Sequence, residues 1–214
     1  MENKKIHMGK IISILEREYP EPRTELSFET PHQLLVATIL SAQCTDKRVN
    51  IVTEKLFKKY KTVQDFANAD LKEFESDIHP TGFYRNKAKN IIAASKVIFD
   101  KFGGRVPDNM DDLIALPGVA RKTANVVLYE AFGKNEGLAV DTHVIRLSNL
   151  LGIAAGVDAK KIEKELMENI ERKKWGEFSN LLILHGRNVC VARKPKCEIC
   201  KLSKICSSAS DPKK

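Results

Sequence analysis

Four of the five cysteines in this 214-residue chain crowd into one segment as Cys190, Cys197, Cys200 and Cys206, in the spacing C-x6-C-x2-C-x5-C. In a reducing compartment such clustering argues for metal or cluster ligation over disulfides. Four thiolates on a short loop-rich stretch can ligate a 4Fe–4S cluster or a tetrahedral zinc. Structural zinc more often uses two separated C-x2-C pairs, and only one such pair is present, so the spacing favours the cluster. The wide loop between the first two cysteines carries Arg193, Lys194 and Lys196, which ligation would fix in space with their charges turned outward. Cys44 stands apart in an apolar run and reads as a small buried hydrophobe on a helix.

A second set of residues is suited to phosphate. The passages His79-Pro80-Thr81-Gly82-Phe83-Tyr84-Arg85-Asn86-Lys87-Ala88 and Leu116-Pro117-Gly118-Val119-Ala120-Arg121-Lys122-Thr123-Ala124 are each a tight turn running into a helix with a basic first turn. Cations at a helix N-terminus oppose the macrodipole. Two such violations suggest that a nucleic-acid phosphate, held by turn N–H groups and the helix end, supplies the negative charge. Leu116 to Thr123 is, further, a helix-hairpin-helix signature, a turn that grips the backbone without reading bases. Asp141 follows Leu138-Ala139-Val140 and precedes a helical run from Val144 to Leu150, where it reads as an N-cap.

The elements that must hold these groups are helical throughout. Apolar residues recur at helical spacing as Val49, Val52, Leu56 and Tyr60, and as Ala88, Ile91, Ile92, Ser95, Phe99 and Phe102, with Gly103-Gly104 as terminator. A third stripe, Ala124, Val127, Leu128 and Ala131, closes at Gly133. Thr30-Pro31-His32-Gln33 has the form of a capping box with proline at the first helical position. Leu34 to Leu40 is apolar on all sides and predicts a core helix, a pattern repeated at Leu181 to Leu184. No alternating strand pattern competes, so the fold class is all-α.

Composition agrees with a soluble protein that meets a polyanion. Hydrophobic residues make up 43% and charged residues 30%, with formal net charge +8. From Gly186 onward eight basic residues (Arg187, Arg193, Lys194, Lys196, Lys201, Lys204, Lys213 and Lys214) face two acidic ones (Glu198 and Asp211), so most of the surplus surrounds the cysteines. The short N-terminal apolar stretch is interrupted by Ser13, Glu16 and Arg17, which excludes a signal peptide or membrane span there. A cytoplasmic or nucleoid-associated protein, with no membrane partner, is expected.

The hairpin segment, Val140-Asp141-Thr142-His143, Ser41-Ala42-Gln43-Cys44-Thr45-Asp46 and the cysteine spacing together resemble the endonuclease III family, over about Glu25 to Cys206. That resemblance implies a bifunctional DNA glycosylase/AP lyase of base-excision repair, acting on damaged double-stranded DNA, with a 4Fe–4S cluster on the four cysteines and a monomeric chain. It implies a helical barrel-like domain with the hairpin over residues 24–136, and a discontinuous cluster domain from residues 1–23 and 137–214, with a DNA cleft between them. The family's nucleophilic lysine falls on Lys122 and its catalytic aspartate on Asp141. A lysine with a pKa near ~10.4 is neutral in only about one part in a few thousand at pH 7. A nucleophilic Lys122 therefore requires its charge to be disfavoured, by partial desolvation, by the helix N-terminus and by the neighbouring Arg121.

By the same resemblance Gln43 fills the gap left by an extruded base, Phe83 supplies a wedge, and His143 lies near the lesion pocket. Phe83 and His143 also have structural readings, as a core aromatic and a satisfied histidine. The sequence departs from the family pattern at Ala120, where the hairpin's second glycine is replaced, at Phe83, where the best-known bacterial relatives carry leucine, and in the lack of a proline before Asp141. If position 120 needs positive φ, alanine there costs about 1 kcal/mol. Monofunctional mismatch glycosylases generally lack the lysine, and a non-catalytic DNA-binding module would need neither Lys122 nor Asp141.

Overall fold

The computed structural model of the protein describes residues 2–209, so Asp211, Lys213 and Lys214 of the C-terminal charge cluster lie outside it. The described residues form eleven α-helices and two 3-10 turns, with no strand among them, which is the all-α class the periodicity predicts. The chain divides into two compact units, one of Glu25–Lys134 and one of Met1–Thr24 with Asn135–Lys214.

The first unit is built on α2 (Pro31–Leu40), in which every residue from Leu34 to Leu40 is buried, as a helix apolar on all sides must be. Thr30 caps it by accepting the Gln33 N–H, but Gln33 returns its own bond to the Glu29 N–H at 2.7 Å. The reciprocal bond of a capping box thus lands one residue early. Around α2 stand α3 (Asp46–Lys59), α4 (Val63–Ala67), α5 (Leu71–Ile78), α6 (Tyr84–Phe102), α7 (Met110–Ile114) and α8 (Arg121–Phe132). The α3 stripe Val49, Val52, Leu56 and Tyr60 is buried throughout. On α6 the buried line runs Ala88, Ile91, Ala94, Ser95 and Ile98, which leaves Phe99 exposed. Gly103 and Gly133 end α6 and α8 in the left-handed conformation predicted for them.

The second unit packs α1 (Glu2–Glu18) against α11 (Trp175–Asn188), with α9 (Thr142–Leu150) and α10 (Ala159–Asn169) completing the core. Met8, Ile11, Leu147, Phe178 and Leu181 are fully buried there. Leu181 and Leu182 are buried, whereas Ile183 and Leu184 are half-buried, so α11 shows a face and is not enclosed on all sides. Among the described residues no helix is long and apolar enough to cross a membrane.

Candidate nucleic-acid interface and cysteine centre

The hairpin turn is shaped by its glycine. Gly118 has φ +75°, and a Cβ built on it would sit 2.6 Å from Cβ of Asn90 on α6. Position 118 therefore excludes a side chain on two independent grounds, backbone conformation and space. Ala120, in contrast, is extended at φ −88° and ψ 165°, so the missing second glycine costs no backbone strain. Ala120 is exposed and has no side-chain acceptor to cap α8, which leaves the helix end for an outside anion. Arg121 and Lys122 occupy the first turn of α8; Arg121 is half-buried and Lys122 exposed. The desolvation expected of Lys122 is thus not met. The buried face of α8 is taken by Ala124, Asn125, Val127 and Leu128, and Lys122 lies off that face.

Gln43 and Phe83 are the two non-glycine residues with positive φ among those described, at 54° and 48°. Both are exposed, and Phe83 retains 65% of its accessible surface, so it is not a core aromatic. A left-handed non-glycine residue costs roughly 1 kcal/mol or more, and such strain concentrates where function demands it. Cys44, predicted on a helix, sits instead in the turn that follows α2, half-buried against the core of the first unit.

One cation of the first Pro/Gly passage does not face phosphate. Lys87 is only 5% exposed, and its Nζ donates to the Leu40 carbonyl at 2.7 Å and the Thr81 carbonyl at 2.8 Å. Burial pulls its pKa below the ordinary lysine value, with the nearby Cys44 thiol acting the other way. Arg85 stays exposed and stacks over Tyr84, 5.0 Å from the ring centre.

In the second unit Asp141 is the N-cap of α9. Its Oδ1 accepts both the His143 N–H at 2.8 Å and the Val144 N–H at 2.9 Å, leaving Oδ2 outside the cap. The carboxylate is half-buried and fixed by these bonds. His143 packs on α11, where a Cβ on Gly186 would approach its Nδ1 to 2.9 Å. Burial lowers its pKa, and Arg146 and Arg187 press the same way against Asp141. This contact gives His143 a structural role in addition to any at the lesion.

The four cysteines line one pocket, together with Leu147, Leu151, His185 and Leu202, and all four are half-buried and outside any disulfide. Arg146 holds the first of them: its Nη2 donates to the Gly186 carbonyl at 3.0 Å and the Cys190 carbonyl at 2.6 Å. Buried His185 places Nε2 3.4 Å from Cys200 Sγ, while its Nδ1 lies 3.4 Å from the Tyr19 hydroxyl. Burial raises the Cys190 and Cys200 thiols, and the other cysteines of the set push further in that direction. Thiols that each feel the others across an apolar-lined pocket would gain from metal, whose charge offsets the thiolates. Among the described residues no three His, Cys, Asp or Glu groups converge on a point that would hold a single ion. A ring of four thiols about a pocket suits the wider body of a 4Fe–4S cluster. Arg193, Lys194 and Lys196 are all exposed on the first loop.

Arg146 and His185 escape a reading of the sequence, which places Lys87 in a basic turn for phosphate and misses its inward bonds. Gly186, a single glycine inside an apolar helical run, was the one local signal of the close approach that Arg146 and His143 make.

The HhH-GPD superfamily of base excision DNA repair proteins matches residues 36–172, and the iron-sulfur binding domain of endonuclease III matches residues 190–206. Endonuclease III of Synechocystis sp. is 52% identical over 209 residues, spanning 98% of this chain and 95% of the relative. That of Bacillus subtilis is 47% identical, spanning 88% and 86%. The solved structure of a trapped endonuclease III–DNA covalent intermediate superposes with a TM-score of 0.91 at 41% identity, covering 96% of each chain.

Proposed function

The chain belongs to the endonuclease III family of base-excision DNA glycosylase/AP lyases that carry a 4Fe–4S cluster, and on that premise we propose that it removes oxidised pyrimidines from duplex DNA through a covalent intermediate on Lys122. The observation that carries the reading is the exposed amine on the first turn of α8, directly after a glycine turn that leaves a helix end for phosphate. The trapped covalent complex of a relative 41% identical supports it.

Neutral Nζ of Lys122 attacks C1′ of the damaged nucleotide as the bond from C1′ to the base breaks, and the base departs with a proton. Opening of the sugar ring at O4′ then gives a Schiff base. Loss of a C2′ proton expels the 3′ oxygen, cutting the strand by β-elimination. Asp141 serves through Oδ2, stabilising positive charge that develops at the sugar or taking a proton from the amine, while Oδ1 keeps the carboxylate fixed on α9. Gly118, Ala120 and Arg121 hold the backbone beside the lesion. Gln43 and Phe83 enter the duplex where the nucleotide leaves it, and His143 is a contact to the lesion strand.

Cys190, Cys197, Cys200 and Cys206 hold the cluster, which supplies cross-linking of a loop that has little apolar material of its own. Arg193, Lys194 and Lys196 on that loop contact the phosphate backbone. The protein acts as a monomer in the cytoplasm, at the nucleoid. Duplexes bearing an oxidised pyrimidine, a thymine mismatch or an unmodified base test the assignment. Base release with strand cleavage is expected for the first. Release from the mismatch without any cleavage would overturn it.

A further inference from the structure

Lys87 is a lysine where an apolar residue would bury at far lower cost, because taking an ammonium out of water is expensive unless it is hydrogen-bonded. Its two acceptors are informative. Leu40 is the last residue of α2, so its carbonyl is one of the orphans of a helix C-terminus, and Thr81 closes the 3-10 turn His79–Thr81. The chain reaches Gln43 three residues after the first acceptor and Phe83 two residues after the second. The same ammonium therefore ties down the roots of the two turns that contain the only left-handed non-glycine residues described. Thr81 is itself buried and donates to the Ile78 carbonyl, so the second root is anchored from both sides.

We propose that Lys87 is a positioning residue whose buried ammonium staples the Gln43 turn to the Phe83 turn, so that plug and wedge enter the duplex as one preorganised unit. The inference rests on the reading that these two side chains penetrate the duplex. Strained turns persist only where their surroundings over-determine them, and a bridge between the two roots does that for both together. Without it each turn relaxes separately, and the pair no longer meets the base stack in register. A target that is already unstacked does not need the pair, so the loss is confined to duplex substrate.

The test uses full-length, cluster-loaded protein and Lys87→Met, which keeps the length and apolar stem of the side chain and removes the donor. Two quantities are measured: amide hydrogen exchange in residues 41–44 and 81–84, and the ratio of borohydride-trapped adduct on a duplex abasic site to that on a single-stranded one. Exchange should quicken in both turns together while α8 is unchanged, and the duplex-to-single-strand ratio should fall about tenfold to 100-fold. Lys87→Gln, whose amide is a weaker and shorter donor, takes the same measurements should Lys87→Met not fold. Exchange that quickens in neither turn, or in one alone, overturns the staple. Both turns loosening with an unchanged ratio, or an equal fall on both substrates, overturns its role in penetration. Gln43→Ala and Phe83→Ala are run alongside: if neither lowers the ratio, the penetration reading itself fails, and that failure is visible without any Lys87 variant.

Discussion

Asn90 and Gly118 meet so closely that the side chain of one occupies the space where a Cβ of the other would stand, 2.6 Å from Asn90 Cβ. The hairpin turn is thereby seated on α6, and its glycine is fixed by packing as well as by φ +75°. Gly118→Ala should destabilise the protein by about 1–3 kcal/mol and weaken binding to duplex DNA. Thermal melting and titration with an abasic-site duplex check this. Ala120→Gly should leave binding geometry intact, since position 120 is extended already.

Asp141 caps α9 through Oδ1, and the catalytic task proposed for Oδ2 can be separated from that cap by substitution. Asparagine caps a helix about as well as aspartate, so Asp141→Asn should melt within about 0.5 kcal/mol of the parent yet lose roughly 100-fold or more in single-turnover base release. Asp141→Ala should lose the same activity and about 1 kcal/mol of stability as well. Equal destabilisation by both variants would contradict the division.

His32 provides a pH signature of the first unit. It is buried, its Nε2 lies 2.9 Å from Ser95 Oγ, and burial pulls its pKa from 6.5 to about 4. The folded protein holds the ring neutral, whereas the unfolded chain takes up a proton below pH 6.5. This contribution is complete above that value and is lost as pH falls towards 4, amounting to about 3 kcal/mol at most. Denaturant melts of wild type and His32→Gln at pH 7 and 4.5 should show a smaller fall for the variant.

Helices were legible because burial repeats along them: Val49, Val52, Leu56 and Tyr60 announce a face without any knowledge of what covers it. The cysteine spacing and the Gly118 turn were legible for a similar reason, since each is dictated by a local requirement. Lys87 was not. In sequence it resembles the basic residues of the hairpin, and only the packing of α6 against the end of α2, 47 positions upstream, reveals that it points inward. Lys122 shows the converse, an amine that chemistry would prefer shielded and that this fold leaves exposed. His185 and Arg146 become meaningful only once α11 and α9 bring them to the cysteines.

The cysteine segment should behave as a support for binding. Replacing Arg193, Lys194 and Lys196 together by alanine should reduce the salt dependence of duplex binding by up to about 3 in slope, with adduct formation preserved at saturating enzyme. Cys200→Ser should lower bound iron and, through release of the loop, weaken binding in the same way. Iron analysis and binding isotherms at several salt concentrations measure both effects. A Cys200→Ser protein that lacks iron and binds with wild-type affinity and salt slope would sever the loop from the cluster.

Lys122 is proposed to carry the reaction covalently, and borohydride reduction during turnover reads that role directly. The wild-type protein, mixed with an abasic or oxidised-pyrimidine duplex and borohydride, should yield a stable protein–DNA adduct whose linked peptide contains Lys122. Lys122→Gln should fold, bind the same duplex and give none. An adduct that persists in Lys122→Gln, or base release by the wild type with no adduct at any time, would contradict the account.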